Sequence, residues 1–125
     1  MSGGMNSMKT SILSREQILA AQDLASEEIS VPEWGGTVRV RMMTGAERDA
    51  LGATLLGADK KVDMSQYRIR LLAACLVDEA DQPLFGPDEV GLLGAKSGVA
   101  LDRVYRVAER LNDVGAGAVE AAQGN

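Results

Sequence analysis

The 125-residue chain has no histidine, one cysteine, three prolines and only four aromatic rings. Each scarcity excludes something. Without histidine the chain lacks the side chain most often used for acid–base chemistry near neutral pH, and with it the commonest metal ligand. A lone cysteine forms no intrachain disulfide, which suits a reducing compartment. Long hydrophobic runs are missing too. The longest wholly apolar stretch, Leu71 to Val77, is seven residues, where a membrane-spanning helix needs about 20. Met1 to Lys9 has no apolar segment of the secretory kind. With 13 basic against 18 acidic residues, the net charge of −5 offers no general attraction to nucleic acid or an anionic membrane.

What is present supports one small folded domain. Leu, Ile, Val and Phe make up 30 of the 125 residues, above the roughly one-fifth below which chains tend to stay disordered. With Trp34, Tyr67, Phe85 and Tyr105 the only rings, the core must be mainly aliphatic. Residues 1–12, rich in Gly, Ser and Met, read as a flexible leader, residues 13–113 as the domain, and the Gly/Ala-rich residues 114–125 as a flexible tail.

Local signals order the elements. Ser14 and Gln17 have capping-box spacing and open a short helix to about Ala25, with Ile18, Ala21, Leu24 and Ala25 on one face. Alternation follows in residues 28–33 and again in 37–43, with Gly35-Gly36 between: a β-hairpin. Pro32 cannot donate to a ladder, so its strand belongs at an edge. Thr44 and Glu47 repeat the capping box and start a helix to about Leu56, burying Ala50, Leu51, Thr54 and Leu55. Asp63 with Gln66 caps a third helix carrying Ile69, Leu72, Ala73 and Leu76 at helical spacing. Residues 78–82 and Pro83 form an acidic turn. Gly86-Pro87 begins a short helix that bends near Lys96. The strongest periodicity is last: Ser97, Ala100, Leu101, Val104, Ala108 and Leu111 recur over four turns, with fraying from Asn112. One hairpin followed by helices makes an α+β domain of four to five helices.

Motifs that suggest chemistry fail at specific positions. Gly91 to Ser97 resembles a phosphate loop, but such a loop needs Gly directly before the Lys and another five residues earlier; here stand Ala95 and Val90. Asp78, Glu79, Asp81, Asp88 and Glu89 hold five carboxylates in twelve residues, yet from Asp78 the third, fifth and sixth positions of a calcium loop are Ala80, Gln82 and Pro83. A solvated acidic turn is the plainer reading, a docking surface for a basic partner the other. Arg103, Arg106 and Arg110 lie along one ridge of the last helix, where Asp102 can reach Arg106. Cys75 sits near an apolar helix face and reads as a buried structural thiol. No catalytic residue, cofactor or metal is assigned. Trp34, at the hairpin turn, is either an exposed anchor or folded back on a helix.

Several stretches together resemble the tail assembly chaperones of long-tailed, siphovirus-like phages and prophages. They are Ile18-Leu-Ala-Ala-Gln-Asp-Leu24, Val31-Pro-Glu-Trp-Gly-Gly36, Val38-Arg-Val-Arg41, Thr44-Gly-Ala-Glu-Arg-Asp49, Cys75-Leu-Val-Asp-Glu79, Pro83-Leu-Phe85, and Lys96-Ser97 with Leu101-Asp-Arg103. The resemblance spans about residues 15–113 and lies in the order and spacing of the pieces. It implies a non-enzymatic protein of the host bacterial cytoplasm, absent from the mature virion. Such a protein binds the long helical tape-measure protein, keeps it soluble and helps recruit tail-tube subunits. Many such phages also make a frameshifted, C-terminally extended form, which the tail from Val114 would suit. The resemblance assigns no contact residues. From residue chemistry, the outer face of the hairpin, with Trp34, Arg39, Arg41 and Met43, is the expected surface for a client or for self-association. Two other classes are a structural head–tail connector or tail-completion protein, and a small nucleic-acid-binding regulator.

Overall fold

A computed structural model describes residues 11–113; of the leader expected over residues 1–12 only the last two are described, and the tail expected over residues 114–125 lies outside the described residues. Among those residues the order is α1 (Arg15–Ala20), β1 (Ser26–Val31), a 3-10 turn (Pro32–Trp34), β2 (Gly36–Arg41), α2 (Gly45–Thr54), α3 (Tyr67–Cys75), β3 (Leu76–Val77), a second 3-10 turn (Pro87–Glu89), α4 (Val90–Gly94) and α5 (Gly98–Asn112). The protein is a small single-domain α+β fold.

The hairpin forms because alternation puts Ile29 and Val31 on the same side as Val38 and Val40. In its antiparallel register Glu28 faces Arg39 and Ile29 faces Val38. Gly35 adopts φ 77°, a left-handed conformation that costs a side-chain-bearing residue about 1–2 kcal/mol. β3 pairs antiparallel with β2, Val77 opposite Arg39 and Leu76 opposite Val40, so the sheet order is β1-β2-β3. The strand ending at Pro32 is therefore an edge, as expected, with the proline itself starting the turn.

The caps follow the sequence closely. Ser14 and Gln17 form a reciprocal capping box, as do Thr44 and Glu47, and Ser97 Oγ accepts from the Ala100 N–H. Asp63 differs: it bonds the Ser65 N–H and leaves α3, whose N-cap is Gln66, without a side-chain cap. α3 also stops earlier than periodicity suggests. Leu76 is extended and pairs in β3, because the edge of β2 offers it ladder partners that a helix would forgo.

Helices α3 and α5 cross against the sheet over an aliphatic core. Val31, Val40, Leu71, Leu72, Leu76 and Val104 are completely or almost completely buried. Leu51 of α2 and Leu55, which caps its C-terminus, are buried as expected, while Ala50 and Thr54 stay exposed. Asn112 does not fray. It ends α5 at 1% exposure, its Oδ1 accepting from the Met43 N–H (2.8 Å) and its Nδ2 donating to the Ala108 carbonyl (2.9 Å) and Cys75 Sγ (3.3 Å). α1 departs furthest from expectation: it ends at Ala20 and buries none of its residues. No helix among the described residues is long and apolar enough to cross a membrane.

Candidate functional site

The four hairpin residues do not share one outer face. Strand alternation ends at Arg41; the chain then turns into α2 and carries Met43 into the core at 5% exposure. That corrects its expected outward position. Arg39 is held by Glu28 (2.9 Å) and Asp81 (3.2 Å), and also donates to the Glu79 carbonyl. Alternation on the two strands makes Glu28 and Ser30 the candidate cross-strand neighbours of Arg39 and Arg41; the register gives Glu28 to Arg39 and leaves Ser30 opposite Thr37. Arg41 is nearly buried, with a guanidinium nitrogen within 3.0–3.1 Å of both Glu47 carboxylate oxygens. Both arginines thus brace the sheet against its neighbours. Trp34 is folded back, packed on the core with its Nε1 buried and unpartnered among the described residues.

The arginine ridge of α5 is largely committed as well. Arg103 makes a two-pronged pair with Glu33 (2.6 and 2.8 Å), and Arg110 pairs with Glu27. Hydrogen bonding by Arg103 pulls the exposed Glu33 carboxyl down to about 2. Asp102 turns to Arg68 on α3 instead of Arg106, and that guanidinium lies over the Tyr105 ring, 4.8 Å from its centre. These contacts tie α5 to β1, the 3-10 turn and α3. Cys75 is buried, and loss of solvent pushes its thiol up to about 11. A thiol so far from ionised at neutral pH is a poor nucleophile. Among the described residues no group of His, Cys, Asp or Glu could hold a metal ion.

The open surface lies elsewhere, around Phe85. Asp78 Oδ1 accepts from the Ala80 and Gln82 N–H groups and closes the acidic turn, which returns the chain so that Pro83 bridges to Val77. The strap Pro83–Pro87 then runs over the sheet edge and the helices. Between it and α2 and α3 lies a groove of about 260 Å³, walled by Ala50, Leu51, Thr54, Ala73, Ala74, Phe85 and Val90, with Glu47 and Arg70 at its polar margin. Phe85 also walls a second cleft of about 220 Å³ with Trp34, Val38, Leu76, Leu84, Leu93 and Lys96. Leu84 and Leu92 stand exposed nearby in sequence. Both depressions are mostly apolar, so they can take aliphatic or aromatic side chains of a partner and offer little to a charged small molecule. The small residues Ala50, Ala73 and Ala74 were the only hint of the groove in the sequence.

A solved structure, that of the bacteriophage HK97 tail assembly chaperone, matches this arrangement with a TM-score of 0.51 and 22% identity, covering 77% of this chain and 94% of that one. This chain has the fold of a phage tail assembly chaperone. No family model and no curated protein matches the chain.

Proposed function

We propose that the protein is a non-enzymatic phage tail assembly chaperone that binds the tape-measure protein, keeps it soluble and helps recruit tail-tube subunits, acting in the host bacterial cytoplasm and leaving before the virion is complete. The observation that carries this reading is the shared fold, which covers nearly the whole of the neighbour. The surface chemistry supports it. A long helical client offers rows of apolar side chains. The cleft beside Trp34 and Phe85, with Leu84 of its wall 49% exposed, offers apolar area to receive them, and Leu92 of α4, outside the cleft lining, adds an exposed apolar side chain at 66%. Trp34 keeps its place as a client contact on this reading, as a wall of the cleft. Arg39 and Arg41 hold the sheet that positions it.

Leu84→Asp combined with Leu92→Asp tests the proposal. Both side chains are exposed, so the fold should survive, as circular dichroism would verify. Co-expression with the tape-measure protein should give a soluble complex for the wild type and little or none for the double variant. Full co-purification by the double variant would overturn the assignment of this surface. Recovery of the protein in finished particles would instead favour a structural head–tail component.

A further inference from the structure

Lys96 is the only charged side chain in the wall of the cleft between Trp34 and Phe85; its other neighbours there, Val38, Leu76, Leu84 and Leu93, are apolar. It is exposed, and among the described residues its ammonium pairs with no carboxylate. The carboxylates nearest these walls in sequence are engaged elsewhere. Glu33, beside Trp34, is held by Arg103, and Asp81, before Leu84, by Arg39. Asp78 accepts from the N–H groups of its own turn. Those that follow Phe85 lie across it: Asp88 and Glu89 stand against Gly86, in the wall of the α2–α3 groove. Lys96 also lies two residues before α5, whose first turn carries no acid and whose positive end adds charge of the same sign.

A partner that fills the cleft with apolar side chains brings its flanking groups up to this ammonium. A carboxylate there gains an ion pair at the edge of a surface that is losing its water, whereas a Lys or Arg meets repulsion. The cleft, about 220 Å³, is smaller than the roughly 300–1,000 Å³ of sites that enclose a small molecule. Its size suits the side chains of a polypeptide lying across it.

We propose that the Trp34–Phe85 cleft selects apolar segments with acidic flanks: a helical stretch of the client whose leucines or aromatic rings enter the cleft and whose Asp or Glu, one turn away, pairs with Lys96. The identity of the client rests on the chaperone reading; the charge preference of the cleft does not.

Trp34 is the one tryptophan of the chain, so its fluorescence reports on this cleft directly. The probes are three synthetic amphipathic helical peptides, free of tryptophan and sharing one row of Leu and Phe, with Glu, Gln or Lys at the flanking positions. The Glu peptide should shift the Trp34 emission and bind the full chain about five- to tenfold more tightly than the Lys peptide, one exposed ion pair gained against one like-charge contact avoided. The gap should nearly close at about 1 M salt, where the screening length falls to about 3 Å. Lys96→Glu, at an exposed position, should leave circular dichroism unchanged and reverse the order of the peptides, which a merely structural lysine would not do. Equal binding by all three peptides, binding by none, an order that Lys96→Glu leaves unreversed, or binding without a change in Trp34 emission would each overturn the proposal. Co-expression with the tape-measure protein separates the two readings. Capture by the wild type and equally by Lys96→Glu overturns the charge preference alone. No capture by the wild type, with the peptide order intact, overturns the chaperone reading alone.

Discussion

Asn112→Ala should be among the most damaging single changes in this domain, although the residue is polar, near the end of the described chain and outside any apolar repeat. Its side chain is 1% exposed and carries three hydrogen bonds, one of which satisfies the backbone N–H of Met43. Truncation leaves that buried donor unpaired, at a cost of about 1–3 kcal/mol. The bond to Cys75 is weaker because sulfur is a poor acceptor. With the lost packing the total comes to about 2–4 kcal/mol, a large part of the roughly 5–15 kcal/mol that holds a domain of this size together. Urea denaturation followed by circular dichroism measures it. With a slope of about 1–3 kcal/mol per molar urea, the midpoint should fall by about 1–2 M. Asn112→Asp adds a sign. The aspartate keeps the acceptor for Met43, but when ionised it loses the donors and buries a charge, so its folded pKa rises above the unfolded value. That variant should therefore gain stability as pH falls through the folded pKa. A loss below about 0.5 kcal/mol for the alanine variant, typical of surface positions, would refute the reasoning and mean that α5 does not depend on this node.

Two further outcomes follow from the electrostatics and the burial. Glu33 has its carboxyl lowered from 4.5 to about 2 by hydrogen bonding from Arg103, so its contribution to stability is present above 4.5 and is lost as pH falls through about 2. Glu33→Gln should accordingly flatten the acid side of the melting-temperature profile across that window, and an unchanged profile would show that the pair contributes nothing to folding. Cys75, buried with its thiol raised to about 11, should resist a thiol reagent in the native protein at mildly alkaline pH and react stoichiometrically in denaturant; rapid native labelling would show that the α3 terminus opens readily.

The places where reading the chain succeeded share a physical basis: the interactions are local or repeat simply. Ser14 with Gln17 and Thr44 with Glu47 are contacts three residues apart, governed by helix-end geometry wherever the helix packs. The pairing of Glu28 with Arg39 follows from strict alternation on two strands joined by a tight turn. The acidic turn at Asp78 and the buried thiol of Cys75 belong to the same class. Composition likewise limited the core to aliphatic side chains and left no equipment for catalysis through histidine.

Only the tertiary structure decided the rest, because the deciding partners are far apart in sequence. Leu76 leaves its helix for a strand because β2, more than thirty residues earlier, presents an open edge. Met43 turns inward because the strand stops at Arg41, and Asn112 is buried because an unpaired N–H at Met43 awaits it across the core. Arg103 and Arg110 are claimed by β1 and the turn after it, which no helical wheel of α5 contains. The clefts flanking Phe85 and the uncovered face of α1 depend on which surfaces are left over once the helices have packed on the sheet. A sequence specifies the apolar residues of each segment; whether a given face ends in the core, in a groove or in solvent depends on how the segments compete to cover one another, and that competition is settled only in three dimensions.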